Sequence, residues 1–255
     1  MIALTSEQDK AQLKKHALKL IEQDEFEGLV ILVEVLKETD FEIKDKEKVL
    51  LWASYRGYLE IVKYAIEHGA DIHTDNEYAL KQASNNGFLD IVKYLVENGA
   101  DIHVANDYAF RCAALSGHLE IVKYLVENGA SIHAVDNEAL RWAAHNGHLE
   151  VIKYLVESGI DIHTDSEAIK WAAFNRHLEV IKYLVENGAD IHAENDYALG
   201  WAADNGHLEI VKYLVEQGAN IHANNNYALR AAEKHEHTKV VEYLEEVLKN
   251  DRSHK

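Results

Sequence analysis

The sequence predicts an all-α solenoid of stacked antiparallel helix pairs, and three observations support this fold class. One stretch recurs along the 255 residues with a period of about 30, which lies in the range of repeat architectures. Its hydrophobic residues have helical spacing, and a glycine follows each copy where a left-handed residue stops a helix. The clearest copy is Gly117–His133; others begin at Gly87, Gly147 and Gly206, and a looser one begins at Gly57.

The recurring stretch predicts the second helix of each pair. On a helix that begins at Leu119, the charged residues Glu120, Lys123 and Glu127 occupy one narrow face, and apolar residues cover most of the remainder. One partner cannot bury an apolar arc of that width. The second helix is therefore expected to pack on the first helix of its own repeat and also on the next repeat.

The first predicted elements are two capping helices. Residues 5–23 form an amphipathic pattern with Thr5 or Ser6 at the N-cap. A second helix is predicted from Phe26 to about Lys37. The pair reads as a degenerate first repeat, because lysines give it the polar outer face that a terminal repeat needs. These lysines are Lys10, Lys14, Lys15 and Lys19.

Short first helices are predicted to alternate with the recurring stretch. Successive starts are 30 residues apart, except that the interval from Glu138 to Glu167 is 29. Alanines on the inner side of these helices allow close helix–helix approach. The starts lie near Lys48, Tyr78, Tyr108, Glu138, Glu167, Tyr197 and Tyr227, and the preceding residues Asp107, Asn137, Ser166, Asp196 and Asn226 are predicted N-caps.

The repeats predict a single domain over residues 1–255, because no Pro/Gly/Ser-rich linker interrupts them. The last unit has a polar outer face and predicts a C-terminal cap, followed by a disordered tail. The expected divisions are 1–47 for the N-terminal cap, 48–226 for six regular repeats, 227–249 for the C-terminal cap and 250–255 for the tail. The protein is expected to be a monomer.

Composition narrows the possible partners and the setting. The net charge is −18, with 26 basic and 44 acidic residues, which argues against nucleic acid or an anionic membrane as the main partner. Cys112 is the only cysteine, and neither a signal-peptide pattern nor a glycosylation sequon is present. A reducing, cytoplasmic setting is the expectation.

These motifs resemble the ankyrin repeat over roughly residues 26–247. The family's Gly-His-Leu-Glu-Ile-Val stretch matches Gly117–Val122 and Gly206–Val211, and its Gly-Ala-Asp-Val-Asn-Ala stretch matches Gly188–Ala193 with His for Asn. The family's Thr-Pro start is missing, and three residues are missing before each first helix. The resemblance implies an ankyrin-type solenoid with shortened hairpin loops. The compact, Pro-free repeats also resemble ankyrin proteins of giant amoeba-infecting DNA viruses, which implies host cytoplasm.

The sequence predicts no catalytic residue, cofactor or metal site. Two histidine ladders recur, but rungs about 10 Å apart cannot share a zinc ion whose ligands lie about 2 Å away. Structural histidines are the favoured interpretation, with pH sensitivity as the alternative. Cys112 lacks a motif that would mark a base beside it. One ladder is His73, His103, His133, His163, His192 and His222; the other is His118, His148, His177, His207 and His237.

A strip on the first helices is the predicted partner-binding surface. The second helices are near copies of one another, whereas this strip changes from repeat to repeat. In the ankyrin family the corresponding face lines the concave groove. Its aromatic and basic members predict that the groove anchors an acidic, apolar protein segment. The predicted site is Arg111, Leu115, Arg141, Trp142, His145, Lys170, Trp171, Phe174, Trp201 and Asp204.

The functional prediction is a non-enzymatic scaffold for protein–protein interaction. If the resemblance to the viral proteins holds, the predicted partner is a host factor. Two alternatives remain open. One is an architectural or engineered repeat array without a specific ligand; separately, the tryptophans alone could be filler that covers the alanines of the next repeat. An enzyme is the opposing class, and the interchangeable polar residues of the repeats argue against it.

Overall fold

A computed structural model describes residues 7–22, 26–35, 45–163 and 165–253. Within those ranges the chain forms sixteen α-helices, one π-helical segment and no strand, which confirms the all-α prediction. The helices are α1 (Glu7–Glu22), α2 (Glu27–Leu29, continued by the π-helix Val30–Val35), α3 (Lys46–Arg56), α4 (Leu59–Glu67), α5 (Thr74–Asn86), α6 (Leu89–Glu97), α7 (Val104–Leu115), α8 (Leu119–Glu127), α9 (Ala134–Asn146), α10 (Leu149–Glu157), α11 (Ser166–Phe174), α12 (Leu178–Glu186), α13 (Ala193–Asp204), α14 (Leu208–Glu216), α15 (Ala223–Lys234) and α16 (Thr238–Ser253).

The chain forms two compact units. The first comprises residues 1–113 and 120–130, and the second comprises 114–119 and 131–255. In the second unit α9, α11, α13 and α15 pack on one another in sequence, and each also packs on the helix that follows it. The first unit has the same arrangement where α3 packs on both α4 and α5. The predicted cap and repeat boundaries stay predictions.

The second helices bury the apolar face that the repeat pattern predicts. In α8 the side chains of Ile121, Val122 and Leu125 are at most 1% exposed. Each such side chain contributes roughly 1.5–3 kcal/mol by its burial. Gly129 follows α8 with φ 107°, so it takes the left-handed position predicted for the residue that ends the helix.

Left-handed turns precede five of the first helices. In α5 the residues Asp75, Asn76 and Glu77 have φ between 51° and 61°, and right-handed helix begins after them at Tyr78, as predicted. The same three-residue turn recurs at 105–107, 135–137, 194–196 and 224–226. Three successive left-handed residues are uncommon in L-amino-acid chains. The turns contain many Asn and Asp residues, which tolerate this conformation best.

The third residue of each left-handed turn binds a histidine, so the N-cap prediction is wrong at the four predicted positions that lie in these turns. Asp107 Oδ1 accepts a hydrogen bond from His103 Nδ1 at 2.7 Å. Asp196 Oδ1 also accepts from the Asn220 backbone N–H at 2.8 Å, which ties one repeat to the next. The side chains concerned are those of Asp107, Asn137, Asp196 and Asn226.

The shortened repeat begins differently. Asp165, one residue before the predicted Ser166, is the N-cap of α11, and its carboxylate accepts a hydrogen bond from the Glu167 N–H at 3.1 Å. At the C-terminus α16 continues to Ser253, past residue 249, where the tail was expected to begin. The predicted caps Thr5 and Ser6 lie outside the described residues.

Candidate binding groove

A groove of about 500 Å³ lies in the second unit, over α9 and the start of α11. Its walls contain five of the ten residues that the sequence analysis assigned to a binding strip: Leu115, Arg141, Trp142, His145 and Trp171. Four further lining residues were not predicted: Val135, Asp136, Glu138 and Glu167.

The groove lies where the repeat pattern loses a tyrosine. Four repeats begin their first right-handed turn with Tyr78, Tyr108, Tyr197 or Tyr227, whereas the two repeats at the groove have Glu138 and Glu167 at that position. The Tyr197 ring lies 5.8 Å from the Trp201 ring. Trp171 has Glu167 in place of such a tyrosine and is 40% exposed. This substitution is the sequence signal that could have located the groove.

Aromatic rings continue from the groove along the first helices. The Trp171 ring meets His145 edge-on at 5.3 Å and Phe174 at 6.1 Å. The Phe174 ring then lies 5.1 Å from Trp201. Phe174 and Trp201 therefore support Trp171 from the side, and they do not line the groove. Contacts between adjacent repeats agree with the filler interpretation for Trp201, but Trp171 remains 40% exposed despite its contacts with His145 and Phe174.

One hydrogen bond fixes the orientation of His145. Asn175 Nδ2 donates to the Trp171 carbonyl at 3.1 Å and lies 2.9 Å from His145 Nδ1. The bond to a carbonyl identifies that amide atom as nitrogen, a donor. His145 Nδ1 must then accept, and the proton of the neutral ring lies on Nε2.

The two cations predicted to bind a partner are paired within the chain. Arg141 Nε lies 3.1 Å from Asp165 Oδ2, and the Asp165 side chain is 1% exposed. Lys170 Nζ donates to Glu167 and, at 2.9 Å, to Glu194. Carboxylates of this chain thus already bind Arg141 and Lys170, and a contact of these cations with an acidic partner stays a prediction.

The surroundings of Lys170 raise its own pKa and lower that of Glu194, and both shifts favour the charged forms of the pair. Burial lowers the pKa of Lys170, but the hydrogen bonds to Glu167 and Glu194 outweigh it and leave that pKa above its usual value. The hydrogen bond from Lys170 lowers the pKa of Glu194. Both groups thus hold their charges at neutral pH.

Arg111 has a structural position as well, and its assignment to the binding surface stays a prediction. It is 7% exposed, and its guanidinium donates to the carbonyls of Ala105 and Asn106 at 2.7 and 3.0 Å. Arg230 donates to the Asn224 carbonyl at 3.0 Å in the same way. A cation at this place in the repeat therefore satisfies carbonyls of the left-handed turn, which helical hydrogen bonds leave unpaired.

Asp204 lies beyond the groove, and its placement in the binding strip stays a prediction. Its side chain is 23% exposed, and Oδ1 lies 3.4 Å from His235 Nε2. Its backbone carbonyl accepts from His237 Nε2 at 2.9 Å. The groove residues and Asp204 thus occupy separate parts of the second unit.

The second histidine ladder joins adjacent repeats in the second unit. His148 Nε2 donates to the Leu115 carbonyl at 2.9 Å. His177 and His207 make the same bond to the carbonyls of His145 and Phe174. Burial lowers the pKa of His148 and of His207. His148 and His207 therefore act as neutral donors between repeats, which agrees with the structural interpretation.

Two kinds of site are absent from the described residues. No group of three or more His, Cys, Asp or Glu side chains there is arranged to hold a metal ion. None of the helices in the described ranges has the length and apolar character that a membrane crossing requires. Cys112 is buried.

Comparison with known families gives a match over most of the chain. A family model described as ankyrin repeats (3 copies) matches residues 21–106 and 169–252. A second model, ankyrin repeats (many copies), matches residues 108–156. Residues 157–168, which contain the shortened link before α11, fall between the matched ranges.

A solved structure resembles the chain as well. The crystal structure of the human ASB11 ankyrin repeat domain superposes with a TM-score of 0.64 and 25% sequence identity. The superposition covers 72% of this chain and 90% of the human domain. No curated protein sequence matches this chain.

Proposed function

Because this chain belongs to the ankyrin repeat family, we propose that it is a non-enzymatic scaffold that binds a protein partner at the groove over α9 and α11. Repeats of this family generally mediate protein–protein interaction. One observation supports the location: Trp171 is 40% exposed at the wall of the groove. An exposed tryptophan beside a concave surface is typical of the residues that dominate binding energy.

The groove also distinguishes this proposal from its alternatives. An architectural array has no need to exchange the tyrosine of its neighbouring repeats for glutamate at Glu138 and Glu167, in two adjacent repeats. An enzyme needs a nucleophile or an acid–base pair aimed at a substrate. In the groove His145 Nδ1 accepts from Asn175, and Arg141 is bound by Asp165. Both groups are therefore engaged in structural contacts.

The proposed viral origin, host partner, cytoplasmic setting and monomeric state rest on the sequence. The viral origin and the host factor rest on the resemblance of the 30-residue, Pro-free repeats to proteins of giant amoeba-infecting viruses. The cytoplasmic setting rests on the single cysteine. The monomeric state rests on the polar outer faces of the two terminal units.

Affinity capture tests the scaffold function. The wild-type chain, Trp171→Ala and Tyr78→Ala serve as baits in an amoeba lysate, and mass spectrometry quantifies the captured proteins. Tyr78 is a matched control because it is also 40% exposed and lies outside the groove. The melting temperature of each bait shows that it is folded.

The expected result is a protein captured by the wild type and by Tyr78→Ala but at least tenfold less by Trp171→Ala, the loss typical of a hot-spot residue. Titration of that purified protein against the three baits then checks direct binding. If every captured protein is retained equally by Trp171→Ala at unchanged melting temperature, the array interpretation replaces the scaffold at this groove.

A further inference from the structure

We propose that the segment bound in the groove is basic and apolar, a short stretch with Lys or Arg beside aliphatic or aromatic side chains. This inference rests on the proposed scaffold function and names the chemistry of its partner. It reverses the acidic partner that the sequence strip predicts. Three properties of the groove support it: its charge, its departure from the repeat pattern and its exposed ring.

Carboxylates dominate the charge around the groove. Three line it directly, Asp136, Glu138 and Glu167. Asp165 and Glu194 stand beside them in the pairs with Arg141 and Lys170. Five carboxylates thus face two cations. A segment that enters this groove meets net negative charge, which attracts cations and repels acids.

The acidic residues are specific to this pair of repeats. Glu138 and Glu167 occupy the position at which four other repeats have tyrosine, and Asp136 occupies the position at which the other left-handed turns have Asn76, Asn106, Asn195 and Asn225. The cation at the position of Arg141 is by contrast shared by Lys81, Arg111, Lys170 and Arg230. The cation is therefore common among the repeats, although Gly200 takes this position in one of them, while the added carboxylates are a local property of the groove.

The 40% exposure of Trp171 at the wall of the groove completes the site. A cation over an aromatic face is attracted by the ring quadrupole, and the chain itself uses this contact repeatedly. Lys170 Nζ lies 5.7 Å from the Tyr197 ring centroid, and Arg111 Cζ lies 5.1 Å from that of Tyr108. A lysine or arginine of the partner has an equivalent place over Trp171, with Glu167 beside it, while Leu115 and Val135 offer apolar contact.

Selection from a random dodecapeptide library displayed on phage tests the inference even though the partner is unidentified. The library is selected against the wild-type chain and, in parallel, against Asp136→Asn/Glu138→Gln. A matched control, Glu97→Gln/Glu127→Gln, removes the same charge from exposed positions on α6 and α8. Both double variants change the net charge equally, so the general attraction of an acidic protein for basic peptides cancels between them.

The expected result is enrichment, on the wild type and on the control, of peptides that contain Lys or Arg next to Leu, Phe or Trp. The groove variant should bind the enriched peptides about five- to tenfold more weakly than the control, the effect of two lost ion pairs near a surface. Raised salt should weaken binding to the wild type more than to the groove variant.

Three outcomes would overturn the inference: enriched peptides that are acidic or neutral, equal binding by the groove variant and the control, or no enrichment over the starting library. Acidic peptides that bind the wild type and are lost on Trp171→Ala would refute the basic partner yet leave the scaffold function standing. Failure of the scaffold function has a different signature, the equal retention of every captured protein by Trp171→Ala.

Discussion

The guanidinium Nε of Arg141 lies 3.1 Å from the carboxylate of Asp165, which is almost fully buried. This pair joins α9 to the N-cap of α11, because the same carboxylate accepts the Glu167 N–H. Asp165 thus replaces the left-handed turn found at the start of other first helices. The pair lies at the shortened repeat, where the chain has one residue fewer to connect the two helices.

Removal of Arg141 should destabilise the protein. Arg141→Met keeps the aliphatic stem but leaves the Asp165 carboxylate buried without its cation, and the expected cost is about 2 kcal/mol, since the arginine is partly exposed. Urea unfolding measures the change. Arg141→Met/Asp165→Asn should recover part of the loss, because the buried charge is then gone while the N-cap oxygen remains. A double variant no more stable than Arg141→Met would show that the charge pair is not the cause.

Arg176→Gly should stabilise the protein by about 1 kcal/mol, because Arg176 adopts φ 67° and side chains are disfavoured in the left-handed region. Gly147 and Gly206 hold the equivalent position in neighbouring repeats. A Cβ on Gly147 would lie 2.4 Å from His177 Nδ1, so the reciprocal change Gly147→Ala should destabilise. Thermal unfolding measures both. Arg176→Ala is the control, and a gain there as large as for glycine would point to the arginine side chain instead of the backbone.

The sequence predicts the fold closely because the same pattern of apolar residues and helix-ending glycines occurs in successive repeats. Helical spacing around Ile121 and Leu125, and a stop at Gly129, are decided within the stretch itself. The left-handed turns were not predicted, because three successive residues of this kind depend on tertiary bonds. One is the bond from the Asn220 N–H to Asp196, whose partners are 24 residues apart.

The candidate groove overlaps the predicted binding strip only in part. Trp142 and Trp171 belong to both, whereas Phe174 and Trp201 are not among the residues that line the groove. The role of Arg141 and Lys170 depends on which carboxylates lie nearby in space, and residue type alone does not report that. The informative signal was the exchange of tyrosine for Glu138 and Glu167. From the sequence alone this exchange indicates only a polar surface position, and its link to a groove requires the structure.

Stability should fall on both sides of about pH 6.5, the ordinary pKa of histidine. Burial lowers the pKa of His148 and His207 in the folded state, so their neutral forms stabilise the fold above pH 6.5 and this stability is lost as the pH falls. The hydrogen bond to Glu77 raises the pKa of His73. Its contribution is complete below pH 6.5 and is lost as the pH rises through the raised value.

Variants separate the loss of stability below pH 6.5 and the loss above it from the effect of the overall net charge on stability. The net charge affects the wild type and the variants alike. His148→Gln/His207→Gln should flatten the fall in Tm between pH 6.5 and 5 relative to the wild type. His73→Gln should flatten the fall above pH 6.5 instead. Differential scanning calorimetry across pH 5–8 makes the comparison. If the double variant shows the same fall in Tm between pH 6.5 and 5 as the wild type, protonation of these two rings is not what weakens the fold.

Val135 is expected to couple stability to binding. It adopts φ 50° in a left-handed turn while 44% exposed, a genuine outlier for a β-branched residue. The equivalent residues in other repeats are Asp75, Ala105, Glu194 and Asn224. Val135→Asn should therefore stabilise the fold by about 1 kcal/mol, as measured by urea unfolding. Ala105→Asn is the control and should gain less, because alanine is not β-branched.

The same change should weaken binding in the groove, since Val135 is one of its apolar lining residues. Strain that persists at an exposed position is a reason to look for a function there. Titration of the peptides selected on the wild type should show several-fold weaker binding to Val135→Asn and unchanged binding to Ala105→Asn, as expected when a well-placed apolar contact is lost. A stabilised Val135→Asn that binds as tightly as the wild type would mean that the strain at Val135 serves no contact with the partner.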